Sequence, residues 1–449
     1  MASTLHLLLL YSLLALLLLS NTTATKPRSF QPHALLLHTT KDPSTLQYLT
    51  EIHQRTPLVP IKLTLDLGGE FLWVNCEHGY VSSSYRPIGC DSPLCKLYKD
   101  AACGVCSAGP KPGCNRRTCG LHTTNPVPDT GISTQCELSE DIITVQSTDG
   151  SNPGPSVTVP QFPFTCGFTR LLKGLAAGVS GMAGLGKADL SLPSQLASAL
   201  HLSKKFAVCL AGSTAGSNGV VFFGDAPYNI LPNHDVSKNL TYTPLIKDTS
   251  SSVSSGIPSP DYLIGVKSIR INNRVVPLNA TLLSIIRGVG GTRISTVVPY
   301  TVLESSIYKA FTLVFKTELA SVPTVAPVKP FTVCYDSKYI KNTPLGPPFP
   351  DIDFVVQGEK GRKEETWRVF GANSMVSAKK DVLCLGFDVL CLGFVDGGVN
   401  PLNAIVIGGY QLENNLLEFD LVKSRLGFSS SLLLKQTTCA KFNFTTVGK

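Results

Sequence analysis

Hydrophobic positions along the chain fall in short β-branched or aromatic runs cut by Gly, Pro, Asn and Ser, a pattern that predicts strands. Clear cases are Ile61-Lys-Leu-Thr-Leu-Asp66, Gly219-Val-Val-Phe-Phe-Gly224 and Ala404-Ile-Val-Ile407. Helical spacing is rare. From Val302 to Leu319, residues Leu303, Ile307, Phe311 and Val314 recur at three and four positions with Lys309 and Lys316 on the other face, which predicts a helix. A shorter helix is predicted to start at Pro193 and to carry Leu196 and Leu200. From Phe223 to Pro260, Pro227, Pro232, Pro244 and the run Thr249 to Ser252 predict a loop-rich junction between two halves. The expected organisation is all-β dominated and two-lobed, with lobes at 25–235 and 236–449.

The first apolar run, Leu5 to Leu19, is followed by Ser20, Asn21, Thr22, Thr23 and Ala24, and then by Lys26-Pro27-Arg28. It reads as a signal peptide over 1–24, cleaved near residues 20–24. No Lys or Arg precedes the run, which leaves a signal anchor as the alternative, but the run is short of the ~20 residues a span needs. No later segment is long and apolar enough to cross a bilayer. A secreted, extracellular product with no membrane attachment after leader removal is expected.

Composition narrows the class. Of 449 residues only 16% are charged, against ~25% in typical soluble proteins, which excludes a disordered polyelectrolyte, a coiled coil and a charge-rich helix bundle. The net charge of +8 favours an acidic partner or a pectin-rich cell wall. The cations are scattered and form no dense run, so no nucleic acid partner is expected.

Seven cysteines crowd together at Cys76, Cys90, Cys95, Cys103, Cys106, Cys114 and Cys119. Cys103-Gly-Val-Cys106, taken alone, suits half a zinc site or a redox motif. The leader directs the chain to an oxidising compartment, however, and no second CxxC or HxxxH stands at ligand spacing, so disulfides are expected and no metal or cofactor. Asn239-Leu-Thr, Asn279-Ala-Thr and Asn443-Phe-Thr are glycosylation sequons. Asp381-Val-Leu-Cys-Leu-Gly-Phe387 is repeated unchanged as Asp388 to Phe394. Either the duplication is a sequencing or gene-model artefact, or its odd length puts Cys384 and Cys391 on opposite strand faces and one copy must bulge out.

Several segments together resemble the pepsin-like aspartic proteases. Leu65-Asp66-Leu67-Gly68-Gly69 and then Leu72-Trp73-Val74 stand where that family has Asp-Thr-Gly-Ser and Leu-Trp-Val. Gly178 to Gly186 with Ser191-Leu-Pro-Ser-Gln195 follows. Ile294-Ser295-Thr296-Val297-Val298 stands where Ile-Asp-Ser-Gly-Thr would be, and Ile405-Val-Ile-Gly408-Gly409 and Phe419-Asp420-Leu421 close the chain. The resemblance spans about residues 30–440 and implies a bilobal fold of double β-barrel lobes with few short helices.

Pepsin chemistry needs two carboxylates sharing one proton. The resemblance leaves Asp66 at the first position and puts Ser295, whose hydroxyl cannot ionise near neutrality, at the second. Both are then vestigial. Leu67 and Gly69 replace the hydroxyl residues that orient the dyad, and no Tyr lies between Tyr98 and Tyr228 to serve as a flap. Losing a general acid or base costs roughly 10²- to 10⁴-fold. Asp129-Thr130-Gly131 spells the catalytic triplet but follows Pro126-Val-Pro128 rather than a buried strand, and is read as a surface turn. There is no G-x-S-x-G elbow, and the eight histidines show no metal or triad spacing.

More narrowly, Lys41 to Tyr48, Gln54 to Pro60, Val145 to Gly150, Ile264 to Ile269 and Trp367 to Met375 resemble the plant extracellular dermal glycoproteins. These are grouped with xyloglucan-specific endoglucanase inhibitors, wheat-type xylanase inhibitors and basic 7S globulins. Such proteins carry 12 bridged cysteines. The resemblance implies that Cys166 is bridged too, that Cys209 pairs with Cys439, and that Cys334 pairs with Cys384 or Cys391. It leaves Cys136 and one duplicate outside the bridges.

The same resemblance implies a defence role in the apoplast, with loops inserted into the active sites of pathogen glycoside hydrolases. A retaining glycosidase holds two carboxylates ~5–5.5 Å apart, a site that a guanidinium can plug. The loop to which the inhibitors' arginine maps reads Asn400-Pro401-Leu402-Asn403, with Leu402 in that position and no cation between Lys380 and Lys423. A second loop, Ser321 to Phe331, carries Lys329 alone. The alternative is a non-inhibitory glycoprotein, bound to wall polysaccharide or stored as a 7S-like globulin.

Overall fold

The strand Val59–Asp66 shows how local pattern becomes architecture. Ile61, Leu63 and Leu65 point inward and Lys62 outward, and its last four residues are all buried. It is enclosed because Tyr48–Gln54 pairs with it antiparallel and Gly181–Gly184 parallel. The computed structural model describes residues 30–445 except 105, 107–108, 213–216, 226, 232–233, 248–258, 360–363 and 380–387. The predicted leader lies outside them. His33 to Lys449 form one compact unit.

Strands dominate. Among the described residues only Leu192–Leu200 and Ser305–Glu318 are α-helices longer than a single turn. The N-terminal half contains an interlock in which Val59–Asp66 runs parallel to Gly181–Gly184. That strand pairs antiparallel with Trp73–Asn75, which in turn runs parallel to the end of Pro153–Gly167. The C-terminal half repeats the arrangement with Thr292–Ile294, Ile405–Ile407, Thr301–Leu303 and Phe394–Asp396.

One sheet joins the halves. Ala34–Lys41, Gly219–Gly224 and Lys205–Cys209 continue, antiparallel throughout, into Leu416–Asp420, Arg425–Phe428 and Thr241–Ile246. At the central pairing, Phe206 stacks on Phe419 with ring centroids 4.7 Å apart, and Tyr262 lies 4.4 Å from Phe419. All three rings are buried, each worth ~1.5–3 kcal/mol by area. Two tyrosines then cross the seam in opposite directions. Tyr48 donates to the Gly409 carbonyl at 3.0 Å and to Glu413 at 2.8 Å, while Tyr262 donates to the Leu185 carbonyl at 2.8 Å.

The predicted strands at residues 61–66 and 219–224 are present, the first extended to Val59. The strand predicted at residues 404–407 begins one residue later, at Ile405. The long helix starts at Ser305, later than predicted. Thr301–Leu303 is instead a strand held by Ile405–Ile407 and Phe394–Asp396, and Glu304 caps the helix by accepting from the amides of Ser306 and Ile307. Tertiary pairing overrides the helical spacing at Leu303. The loop-rich junction also contains a strand, Thr241–Ile246, because it finds partners on both sides in Arg425–Phe428 and Leu263–Ile264.

Six disulfides join Cys76 to Cys166, Cys90 to Cys103, Cys95 to Cys119, Cys106 to Cys114, Cys209 to Cys439 and Cys334 to Cys391. Both cysteines of the CxxC are thus bridged elsewhere. Cys136 is a free, buried thiol, pushed up to about 11 by burial. The second heptapeptide copy supplies the strand Asp388–Leu392, in register with Cys334–Asp336 and Met375–Lys379. Cys384 lies outside the described residues.

Because each crossing tyrosine satisfies a buried carbonyl, replacing Tyr262 or Tyr48 with Phe should cost about 1–3 kcal/mol. The Tyr48→Phe loss should be the greater, since Glu413 also loses a donor. Urea denaturation with disulfides intact measures both. A loss below about 0.3 kcal/mol at either position would contradict a locking role.

Candidate functional site

Asp66 ends its strand where the interlock turns, and a recess of about 300 Å³ opens above it. Its lining includes Gly69, Trp73, Asp261 and Arg293, with His122 and Thr124 contributed by the Thr118–Thr124 strand. The turn after Asp66 must be glycine for lack of room: a Cβ on Gly69 would sit 2.6 Å from the Gly184 Cα.

The Asp66 carboxylate accepts the Gly68 amide at 2.9 Å. Burial, more than the nearby Asp261 charge, pushes its carboxyl up to about 6. Asp261 approaches from the other half but is committed elsewhere. It pairs with Arg293 at 3.3 Å and accepts the Ser259 hydroxyl at 3.1 Å. Glu70, also in the recess, is pushed up to about 7, first by burial and then by Asp100. Among the described residues no hydrogen bond joins Asp66 to another carboxylate; Asp261 beside it is paired with Arg293 instead.

Ser295 is buried, and its hydroxyl accepts the amides of Val297 and Val298, each at 3.2 Å. It acts as a turn cap. The adjacent Thr296 reaches across, donating to the Leu65 carbonyl at 2.8 Å and accepting the Leu67 amide at 3.1 Å. Asp66 and Ser295 are therefore held by one strap from the C-terminal half, and Leu67 has no hydroxyl to return it. Asp129-Thr130-Gly131 forms an exposed turn with Asp129 at φ 65°.

The loop from Gly398 to Asn403 has a fixed base and an apolar tip. Asp396 accepts the Gly398 amide and the Ser305 hydroxyl, Leu402 accepts the Gly290 amide, and Asn403 donates to the Gly290 carbonyl. Val399 and Leu402 are 76% and 66% exposed, Asn400 is exposed at φ 55°, and Pro401 is half-buried. Lys329 is exposed on its own loop. Asn239, Asn279 and Asn443 are all exposed.

Sequence reasoning missed Asp261, Arg293 and Glu70. Arg293 did leave a signal, a charge inserted between Thr292 and Ile294 in a strand that otherwise buries its residues. Its partner, Asp261, is distant in sequence and left none.

The duplicated interlock closing on a recess above a single strand-end aspartate defines a pepsin-like fold. The family models "Xylanase inhibitor N-terminal" and "Xylanase inhibitor C-terminal" match residues 48–225 and 261–430, and the chain belongs to this family of generally non-catalytic proteins. It is 54% identical over 99% of both chains to a protein of Nicotiana benthamiana named probable aspartic proteinase GIP2. A crystal structure of edgp superposes with a TM-score of 0.87 at 52% identity, covering 94% of this chain and all of that one. Soybean basic 7S globulin superposes at 0.77 with 36% identity, covering 92% and 100%.

The raised Asp66 pKa sets a pH dependence. Below about pH 4 the group is protonated folded or unfolded. As pH rises from about 4 to 6 the unfolded chain releases its proton while the folded chain keeps it, so stability falls through that window and stays lower above it. Asp66→Asn preserves the Gly68 bond and should remove up to about 3 kcal/mol of this loss between pH 4 and pH 7, leaving the part due to Glu70. Urea titrations at the two pH values test it. An unchanged difference between wild type and variant would show that Asp66 is ionised in the fold.

Proposed function

We propose that this protein is a secreted, non-catalytic glycoprotein of the plant apoplast that inhibits cell-wall-degrading glycoside hydrolases of pathogens by inserting a loop into their active site. The observation that carries the reading is the loop from Gly398 to Asn403: braced at its base by Asp396 and Gly290, exposed at its tip. A loop ordered before binding loses little entropy on docking. The targets are enzymes of xyloglucanase or xylanase type, and the match to xylanase-inhibitor family models supports the second of these.

Absence of proteolysis rests on Ser295. Ile294 faces Ile407 as Leu65 faces Ala183, and Val302 faces Val406 as Trp73 faces Met182. That register supports reading Ser295 as the counterpart of Asp66. A hydroxyl there cannot share a proton with Asp66 as a carboxylate does. The predicted leader, the six disulfides and the three exposed sequons support secretion and glycosylation, and residues 25–235 and 236–449 are read as the two lobes.

A second reading, a non-inhibitory wall or storage globulin, is favoured by Leu402, which brings an apolar tip where a plug for an acidic cleft would carry a cation, and by the globulins among the relatives.

Purified protein should lower reducing-sugar release by a xyloglucanase or xylanase at near-stoichiometric ratio. A panel of such enzymes untouched at micromolar protein would hand the case to the globulin reading. Leu402→Arg should strengthen inhibition at least about tenfold through a bidentate pair in the acidic cleft. No change would misplace the inserted loop.

A further inference from the structure

A second recess, of about 420 Å³, lies in the C-terminal half away from Asp66 and from the Ser295 turn. Three cations from three separate segments ring it. Lys247 follows the strand Thr241–Ile246, Lys267 lies in Val266–Ile271, and Arg287 sits at the turn of the hairpin Ile285–Ile286/Val289–Gly290. All three are exposed, and none forms an ion pair among the described residues. Among the described residues no carboxylate lines the recess. Three like charges around one concavity focus a positive potential into it.

The rest of the lining narrows the ligand. Ile246, Val266, Leu283 and Ile285 form an apolar wall, while Ser284 and Gln357 add a hydroxyl and an amide. A lone phosphate needs donors converging within hydrogen-bond reach of one small group, and this space is far wider, within the ~300–1,000 Å³ range of small-ligand sites. An apolar wall suits the C–H face of a sugar ring, neutral polar groups suit its hydroxyls, and separated cations suit carboxylates repeated along a chain. We infer that this recess binds an acidic oligosaccharide of the uronate class, with Lys247, Lys267 and Arg287 holding successive carboxylates.

Short oligogalacturonates, titrated calorimetrically into the full protein at low salt, should bind with an affinity that Lys247→Gln, Lys267→Gln and Arg287→Gln combined lower at least about tenfold. A control triple variant, Lys96→Gln, Lys99→Gln and Lys111→Gln, loses the same charge at other exposed positions and should change affinity less than about twofold. Equal losses in both variants would show diffuse attraction to a basic protein and overturn the site. Inorganic phosphate binding as tightly as the oligosaccharide would overturn the sugar assignment. Neutral xyloglucan oligosaccharides should not bind, and binding as tight as that of the uronates would remove the role of charge.

Discussion

The pairing of Lys205–Cys209 with Leu416–Asp420 is the contact on which the rest of the molecule depends. It turns three strands from each half into one sheet, and it seats the Phe206, Phe419 and Tyr262 rings at the seam. Once the sheet is continuous, the two interlocks face one another at a fixed separation. Tyr48 and Tyr262 can then each reach the other half's backbone, and Thr296 can span to Leu65 and Leu67. These bonds carry direction, which apolar burial does not, so they fix the relative placement of the strand ends. Cys209–Cys439 secures the C-terminus to the same strand.

That rigidity gives the recess its electrostatic character. Asp66 is buried at the floor of the recess with the Gly68 amide on its carboxylate, and its neighbouring carboxylate, Asp261, is paired with a guanidinium. A proton-sharing pair needs two carboxyl groups in direct contact and equal competition for the proton. Here burial keeps the proton on Asp66 to about pH 6 while Arg293 holds Asp261 in an ion pair. The bonds that span the halves at this point come instead from Thr296, which holds the Leu65 and Leu67 backbone.

Much of this was legible in the chain. Strands at residues 61–66 and 219–224 follow directly from alternation and continuous apolar runs, because burial on one or both faces dictates composition. Asp66 and Ser295 stood out because short motifs flank them. What could not be read depended on partners distant in sequence. The strand Thr241–Ile246 is rich in Thr and Pro and exists because two edges accept it. Leu303 fits a helical face yet belongs to a strand because Ile405 pairs with it. The Asp261–Arg293 pair was invisible because nothing in the sequence joins a residue just past the junction to one deep in the second half.

The duplicated heptapeptide has a consequence for how the chain tolerates added length. Lys379 and Asp388 are opposite one another at one end of two antiparallel strands, so the second copy is in register with its neighbour from its first residue. Growth of a connection raises closure entropy only logarithmically, about 0.6 kcal/mol per doubling, whereas the same residues inserted within a strand would reverse every side chain beyond them. With Cys391 bridged to Cys334 across that register, added length can be accepted outside these paired strands and not within them.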